Sequence, residues 1–108
     1  MNANILRNTV TFQKTADDGE TYTDVLTVRA YINGVSGSEF FIANAGYEAA
    51  LVVTITCRYQ LALMAINPTD TRCVDEHGYI YDLISPADDK QGLHDEVIFR
   101  ARRRMPDE

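Results

Sequence analysis

The sequence predicts an all-β protein, a small antiparallel β-barrel of about six strands with one long connection. Several short segments alternate apolar and polar residues with the period of two that half-buried strands show. Gly, Pro, Asn and Asp residues separate these segments at hairpin spacing. A chain of 108 residues builds one modest core, so we expect a single domain over residues 1–108. A small sandwich fits the same pattern, but only a barrel removes every exposed sheet edge.

The first two predicted strands form a hairpin. Residues 9–13 place Val10 and Phe12 on one face, and residues 15–19, with the sequence TADDG, supply the turn. Residues 22–33 then resume the alternation as a long strand. The apolar face of that second strand consists of Leu26, Val28, Ala30 and Ile32.

A long connection over about residues 34–50 interrupts the sheet. Gly34, Gly37 and Ser38 break the strand pattern. Ser38 is suited to accept a hydrogen bond from an unpaired amide in the first turn of a helix, which predicts a short helix over residues 39–44. The aromatic residues of this connection are Phe40, Phe41 and Tyr47. They suggest two alternatives: the connection is a lid over an open barrel end, or it projects and buries its aromatic rings against a neighbouring protein.

Four further strands are predicted after this connection. The run LVVTITCRY over residues 51–59 is rich in β-branched residues and is the clearest strand in the chain. Residues 71–75, 79–84 and 94–102 complete the set. The connections between them are a turn at residues 67–70, a tight link at 76–78 and a loop at 86–92.

Signals for metal binding or catalysis are weak throughout the sequence. Cys57, Cys73, His77 and His94 lack the two-residue ligand spacing with which zinc ribbons and fingers begin. The cysteines are expected to behave as small buried hydrophobes and the histidines to lie at the surface. The acidic pairs Asp17-Asp18, Asp88-Asp89 and Asp95-Glu96 are interpreted as solvated turns. No phosphate-binding loop or catalytic motif is present. We therefore predict no enzymatic activity, no metal site and no cofactor.

Charge and hydropathy narrow the possible partners. The net charge of −6 argues against general affinity for polyanions such as DNA. No apolar run in the sequence reaches the length of a membrane span, and the amino terminus lacks a signal-peptide pattern, so we expect a protein that is intracellular when made and has no membrane partner. A small barrel that binds single-stranded nucleic acid or a ligand, with tyrosines as stacking platforms, is the alternative function.

A basic cluster stands out near the carboxyl terminus of this acidic chain. It contains Arg100, Arg102, Arg103 and Arg104. One interpretation is a solvated terminus. Another is pairing with acidic turns of an adjacent subunit, around Asp17, Asp18 or Asp88, because guanidinium groups suit carboxylates at interfaces. Nucleic-acid contact is a third.

The chain also resembles the head-closure, or stopper, proteins of long-tailed bacteriophages, the head-tail joining family. The resemblance covers about residues 4–102. It depends on ILR followed by VTFQ at residues 5–13, VRAYI at 28–32, SGSEFF at 36–41, Arg58-Tyr59, and Arg72 before GYIYDLI at 78–84. The sequence departs from the family where residues 61–66 are apolar and where the final arginine run is long.

The resemblance implies a structural connector protein of the virion, made in the cytoplasm of the host bacterium. Such a protein forms a ring, six-fold or twelve-fold, below the portal and adaptor proteins and above the tail proteins. The ring closes the DNA channel after packaging and offers the tail its docking surface, while DNA only passes through. An adaptor or tail-completion protein of the same connector is the neighbouring possibility.

The candidate site residues follow from this resemblance together with the aromatic connection and the basic cluster described above. Those expected in a channel loop or subunit interface are Ser36, Gly37, Glu39, Phe40, Phe41 and Tyr47. Those expected in salt bridges between subunits or with partners are Arg58, Arg72, Arg102, Arg103 and Arg104.

Overall fold

The computed structural model describes residues 6–34, 52–89 and 92–104. These residues form seven strands and one short helix. The strands are β1 (Asn8–Lys14), β2 (Thr23–Gly34), β3 (Val52–Arg58), β4 (Thr71–Asp75), β5 (Ile80–Leu83), β6 (Asp88–Asp89) and β7 (Glu96–Arg103), and the helix α1 (Leu61–Met64) lies between β3 and β4.

Six of the strands close into an antiparallel barrel. Their order is β3-β2-β1-β4-β5-β7, and pairing of β3 with β7 joins the two edges. The two-residue strand β6 pairs with Ile98 and Val97 of β7, on the side of β7 that β5 occupies further along. The predicted closed barrel is therefore confirmed, and within the described residues the six barrel strands leave no unpaired edge.

The core follows from the alternation of the strands. Phe12 and Phe99 are fully buried, with ring centroids 5.2 Å apart and planes tilted by 50°. The β1–β2 hairpin pairs Val10 with Val28, and its register shifts between Phe12 and Gln13. The other buried apolar side chains that surround the two rings include Ala30, Ile55, Cys57, Cys73, Val97 and Ala101.

The antiparallel topology gives the barrel two distinct ends. At one end β1, β3 and β5 begin and β2, β4 and β7 finish. We call it the insertion end, because the chain between Gly34 and Val52 joins two strands there. We call the opposite end the cap end. There α1 lies in the link from β3 to β4, and its residue Leu63 is fully buried in the core.

The structure corrects several details of the sequence prediction. The helix α1 was not predicted. The strand β6 lies in a segment predicted as loop, so Asp88 and Asp89 are not a simple solvated turn. The last strand was predicted to begin at residue 94, but β7 begins at Glu96. Tyr79 was placed in a strand, but it precedes β5 and is 46% exposed. The helix predicted over residues 39–44 lies outside the described residues.

The two cysteines are free and buried, as predicted. Burial raises the pKa of the Cys57 thiol to about 12 and raises that of Cys73 as well, with the nearby Cys57 adding to the second effect. Neither group is suited to act as a thiolate nucleophile near neutral pH. No helix among the described residues is long and apolar enough to cross a membrane.

Candidate interaction surface

A row of polar residues crosses five neighbouring strands on the outside of the barrel. Gln13 of β1 pairs with Asp24 on one side and with Arg72 of β4 on the other. Arg72 pairs with Asp82 of β5, which pairs in turn with Arg102 of β7. Cross-strand partners point to the same face of a sheet, so these five side chains form one continuous row. We call it the polar ladder.

Hydrogen bonds fix the first half of the polar ladder. Gln13 Nε2 donates to Asp24 Oδ1 at 2.9 Å, and Arg72 Nε donates to Gln13 Oε1 at 2.9 Å. The Arg72 guanidinium also lies 3.6 Å from the centroid of the Tyr22 ring. A guanidinium over an aromatic face is attracted by the negative potential of the ring. Arg72 is therefore held against its own subunit by two different interactions.

Arg104 is not part of the polar ladder but binds one of its members, Asp82. Its Nε donates to Asp82 Oδ2 at 2.9 Å, and its Nη2 donates to Asp82 Oδ1 at 2.8 Å. The hydrogen bonds to Asp82 raise the pKa of Arg104, with Tyr22 contributing in the same direction. The backbone amide of Arg104 donates to the carbonyl of Ile80 at 2.8 Å, which continues the β5–β7 pairing. Arg104 is thus part of the barrel wall.

Arg103 lies at the insertion end beside a tightly hydrogen-bonded turn. Its guanidinium is 4.8 Å from the centroid of the Tyr79 ring. The buried carboxylate of Asp75 accepts hydrogen bonds from the amides of His77 and Tyr79, at 2.8 and 3.0 Å, and from the Tyr81 hydroxyl at 2.8 Å. Burial and this bond to Asp75 raise the pKa of Tyr81. Three hydrogen bonds to one carboxylate therefore hold this turn in place at the insertion end.

Glu76 of the same turn binds the beginning of β1. Its Oε2 accepts a hydrogen bond from the Thr9 amide at 2.6 Å, and its Oε1 accepts one from Asn8 Nδ2 at 2.9 Å. The bond from the Thr9 amide is the main reason why the pKa of Glu76 is lowered. The β4–β5 turn and the start of β1 are consequently joined by a charge-assisted contact.

The remaining predicted arginines are divided between the two ends. Arg102 and Arg103 are at the insertion end, whereas Arg58 finishes β3 at the cap end and is exposed. Arg58 borders a groove of about 350 Å³ that Leu6 and Arg29 also line. The five predicted arginines therefore do not form one cluster. Their contacts with other subunits remain a prediction.

Six predicted interface residues belong to the connection between β2 and β3. They are Ser36, Gly37, Glu39, Phe40, Phe41 and Tyr47, and they lie outside the described residues. The described strand ends nevertheless show where their segment joins the barrel, because Gly34 and Val52 are both at the insertion end. The segment is thus joined to the same end of the barrel as Arg103 and Arg104.

Groups with catalytic potential are sparse in the described part of the chain. His77 and His94 are exposed, as predicted. His94 stacks on Tyr59 at 4.5 Å between ring centroids and binds Asp89 through Nδ1. No group of three or more His, Cys, Asp and Glu side chains that could hold a metal ion occurs among the described residues.

Comparisons with known proteins identify similar chains. A family model described as phage head completion protein matches residues 1–104. Among solved structures, the solution structure of protein SF1141 from Shigella flexneri 2a is 25% identical in sequence, with a TM-score of 0.67 over 98% of this chain and 99% of that one. A comparison with curated proteins finds no match.

Proposed function

The chain belongs to the family of phage head completion proteins, and we propose that it is the structural connector that closes the filled head at the base of the DNA channel. Family membership implies a virion component that meets other head and tail proteins. We propose further that it forms a ring of six or twelve copies beneath the portal and adaptor proteins, retains the packaged DNA, and presents the docking surface for the tail. It needs neither catalysis nor a cofactor for this role.

The match over residues 1–104 carries the proposal, and the geometry of the barrel supports it. A closed barrel has no open sheet edge with which to aggregate, so contacts between copies depend on side chains and connections. The connection between Gly34 and Val52 and the arginines of β7 share the insertion end. We assign that end to subunit contacts, with the residues of SGSEFF and Tyr47 reaching the next copy or the channel. Cyclic symmetry then repeats each weak contact around the ring.

Hydrogen bonds within one chain limit which arginines can contact a neighbouring subunit of the proposed ring. Both oxygens of Asp82 bind Arg104, and Arg72 is held by Gln13 and Tyr22. Arg103 is in contact only with the face of Tyr79 among the interactions described above. We therefore favour Arg103 as the first arginine to meet a carboxylate of a neighbouring subunit, since it can do so without breaking a bidentate pair.

Complementation with a phage that lacks this protein tests the function. Heads produced without it are expected to lose DNA, and purified chain added to freshly filled heads is expected to restore DNA retention and tail joining. Phe40→Ala combined with Phe41→Ala should leave the barrel folded by circular dichroism but abolish this rescue. Native mass spectrometry of the connector gives the copy number. If wild-type chain fails to associate with heads, the proposed function is wrong.

The same protein preparation tests the alternative of nucleic-acid binding. A salt-dependent gel-shift assay with single-stranded DNA should detect no saturable binding at micromolar protein, because the chain carries a net charge of −6. Saturable binding, with loss of affinity in a Tyr31→Ala or Tyr79→Ala variant, would favour stacking on exposed tyrosines instead.

A further inference from the structure

Exposed apolar side chains gather at the cap end of the barrel. Leu61 is 77% exposed and Leu93 is 68% exposed, and they flank β3 and β7 at that end. Ile84, Val25 and Met64 are exposed as well, at 57%, 55% and 38%. Apolar side chains that lie next to one another and face solvent are a feature of interaction surfaces.

The helix α1 carries the centre of this apolar surface. Leu61 and Met64 are three residues apart and so lie on the same side of the helix, whereas Leu63 turns into the core. Beside the helix, Val25 of β2 and the side chains of Ala62 and Ile66 line a groove of about 130 Å³. The apolar surface therefore continues from α1 to the edge of the β1–β2 hairpin.

Carboxylates lie on the β1–β2 side of the apolar surface, where the amide of Thr15 donates to the carbonyl of Asp70 at 2.9 Å. The turn between β1 and β2 contributes Asp17, Asp18 and Glu20, and Asp70 borders the groove itself. Hydrogen bonds from Thr21 lower the pKa of Asp17 to about 2, so that this group is ionised throughout the physiological range. Lys14 is the described cation nearest the groove, and its Nζ lies 3.9 Å from Asp70 Oδ2. Arg58 is a second cation at the cap end, where it is paired with Glu96 in the β3–β7 register, so carboxylates outnumber cations around the surface.

A second copy of the chain is a poor occupant of this surface. Two cap ends facing each other would oppose acidic rims, which repel. Stacking the arginine-bearing insertion end of one copy on the cap end of the next is electrostatically favourable. With the barrel axes aligned, however, this head-to-tail contact has no closing rotation and produces a filament, not the proposed ring. A connector of one layer requires a different partner.

We propose that the cap end docks a segment of a different virion protein, one in which Lys or Arg residues accompany apolar side chains. The apolar side chains of that segment cover Leu61 and Met64 and enter the groove beside Val25. Its cations face the carboxylates of the rim, including Asp17 and Asp70. This inference extends the proposed function, because it names the chemistry of one neighbour of the connector.

Site-specific photo-crosslinking in assembled virions tests the identity of the partner. A benzophenone amino acid replaces Leu61 in one variant and Thr27 in a control variant, Thr27 being exposed on β2 between the two ends of the barrel. We expect the probe at position 61 to join a different virion protein, within a peptide that contains Lys or Arg and apolar residues. A product with a second copy of this chain, with an acidic peptide, or with no protein at all overturns the inference.

Paired substitutions give an independent readout. Leu61→Ser with Met64→Ser should leave the thermal midpoint of unfolding unchanged within a few degrees, because both side chains are exposed. It should lower the yield of infectious particles at least tenfold, whereas the control Thr27→Ala, at an exposed position on β2 between the two ends of the barrel, changes the yield less than threefold. An unchanged yield for the double variant contradicts the proposal. Absence of the wild-type chain from virions would instead contradict the proposed function, so the two failures are distinguishable.

Discussion

The guanidinium group of Arg104 forms two parallel hydrogen bonds with the carboxylate of Asp82, at 2.9 and 2.8 Å. The residues are 22 positions apart and join the end of β7 to the outer face of β5. A bidentate pair fixes both side chains in one orientation. It also binds one arginine of the predicted basic cluster to a carboxylate of its own chain.

The Arg104–Asp82 pair is expected to contribute modestly to stability. The side chains are 29% and 43% exposed, so solvent screening limits their coupling energy to about 0.5–1 kcal/mol. A double-mutant cycle with Arg104→Gln and Asp82→Asn, measured by urea unfolding, gives this value. The matched control is the cycle of Lys14→Gln and Asp70→Asn, whose 3.9 Å single contact should show almost no coupling. Equal coupling in both cycles would remove the special role of the bidentate geometry.

The buried thiols should make the barrel sensitive to alkaline pH. The pKa of Cys57 is raised from 9.0 to about 12 by burial, and that of Cys73 is raised as well. Above about pH 9 the thiols of the unfolded chain lose protons while those of the folded chain keep them, so the unfolded state is favoured. Each thiol then lowers the free energy of unfolding by up to about 1.4 kcal/mol per pH unit.

Urea unfolding at pH 7, 9 and 10 under reducing conditions measures this slope. The Cys57→Ala, Cys73→Ala double variant is expected to be less stable than wild type at pH 7, because two buried side chains are shortened. Its stability should nevertheless fall less steeply between pH 9 and 10. Identical slopes for the two proteins would mean that the thiols ionise in the folded barrel.

Asp75 is expected to be the most sensitive polar residue of the described barrel. Its carboxylate satisfies two backbone amides and the Tyr81 hydroxyl. Asp75→Ala removes the two oxygens that accept these three hydrogen bonds and should lower the free energy of unfolding by about 3 kcal/mol. Tyr81→Phe removes one of these bonds and should cost about 1 kcal/mol. A smaller loss for Asp75→Ala than for Tyr81→Phe would show that water replaces the carboxylate in the turn.

The contact of Glu76 with β1 should be weakened by acid. The pKa of Glu76 is lowered from its ordinary value of 4.5, mainly by the hydrogen bond from the Thr9 amide. The contact therefore stabilises the fold above about pH 4.5 and is lost as the pH falls through the lowered pKa. Hydrogen exchange should show that the protection factor of the Thr9 amide declines with acid in wild type. In Glu76→Gln it should be lower at neutral pH and independent of acid, whereas the control Glu20→Gln should follow wild type.

Local periodicity predicted most of the barrel because each strand has one buried face. In β2 and β7 the predicted apolar faces, such as Val28 with Ala30 and Val97 with Phe99, are the buried ones. The strand β6 was missed because it consists of two aspartates and exists only through pairing with β7. Propensity alone does not identify such a strand.

The contacts of the candidate surface could not be predicted in the same way. Arg104 with Asp82 and Glu76 with Thr9 are joined only after the barrel closes, so no local sequence pattern indicates them. The arginine run was recognised from composition, but its partners Asp82 and Tyr79 were not. The residues of the SGSEFF segment were selected by family resemblance, and their role is still a prediction.

The apolar run over residues 61–66 was recognised in the sequence without the helix that it forms. Leu63 is completely buried in the core at the cap end, while Leu61, two residues earlier, is 77% exposed. Leu63→Ala should therefore lower the free energy of unfolding by about 3 kcal/mol, because it leaves a cavity among packed side chains. Leu61→Ala should change it by less than about 0.5 kcal/mol. Urea unfolding of the two single variants distinguishes a helix that completes the core from one that merely covers the barrel, in which case both substitutions would have small and similar effects.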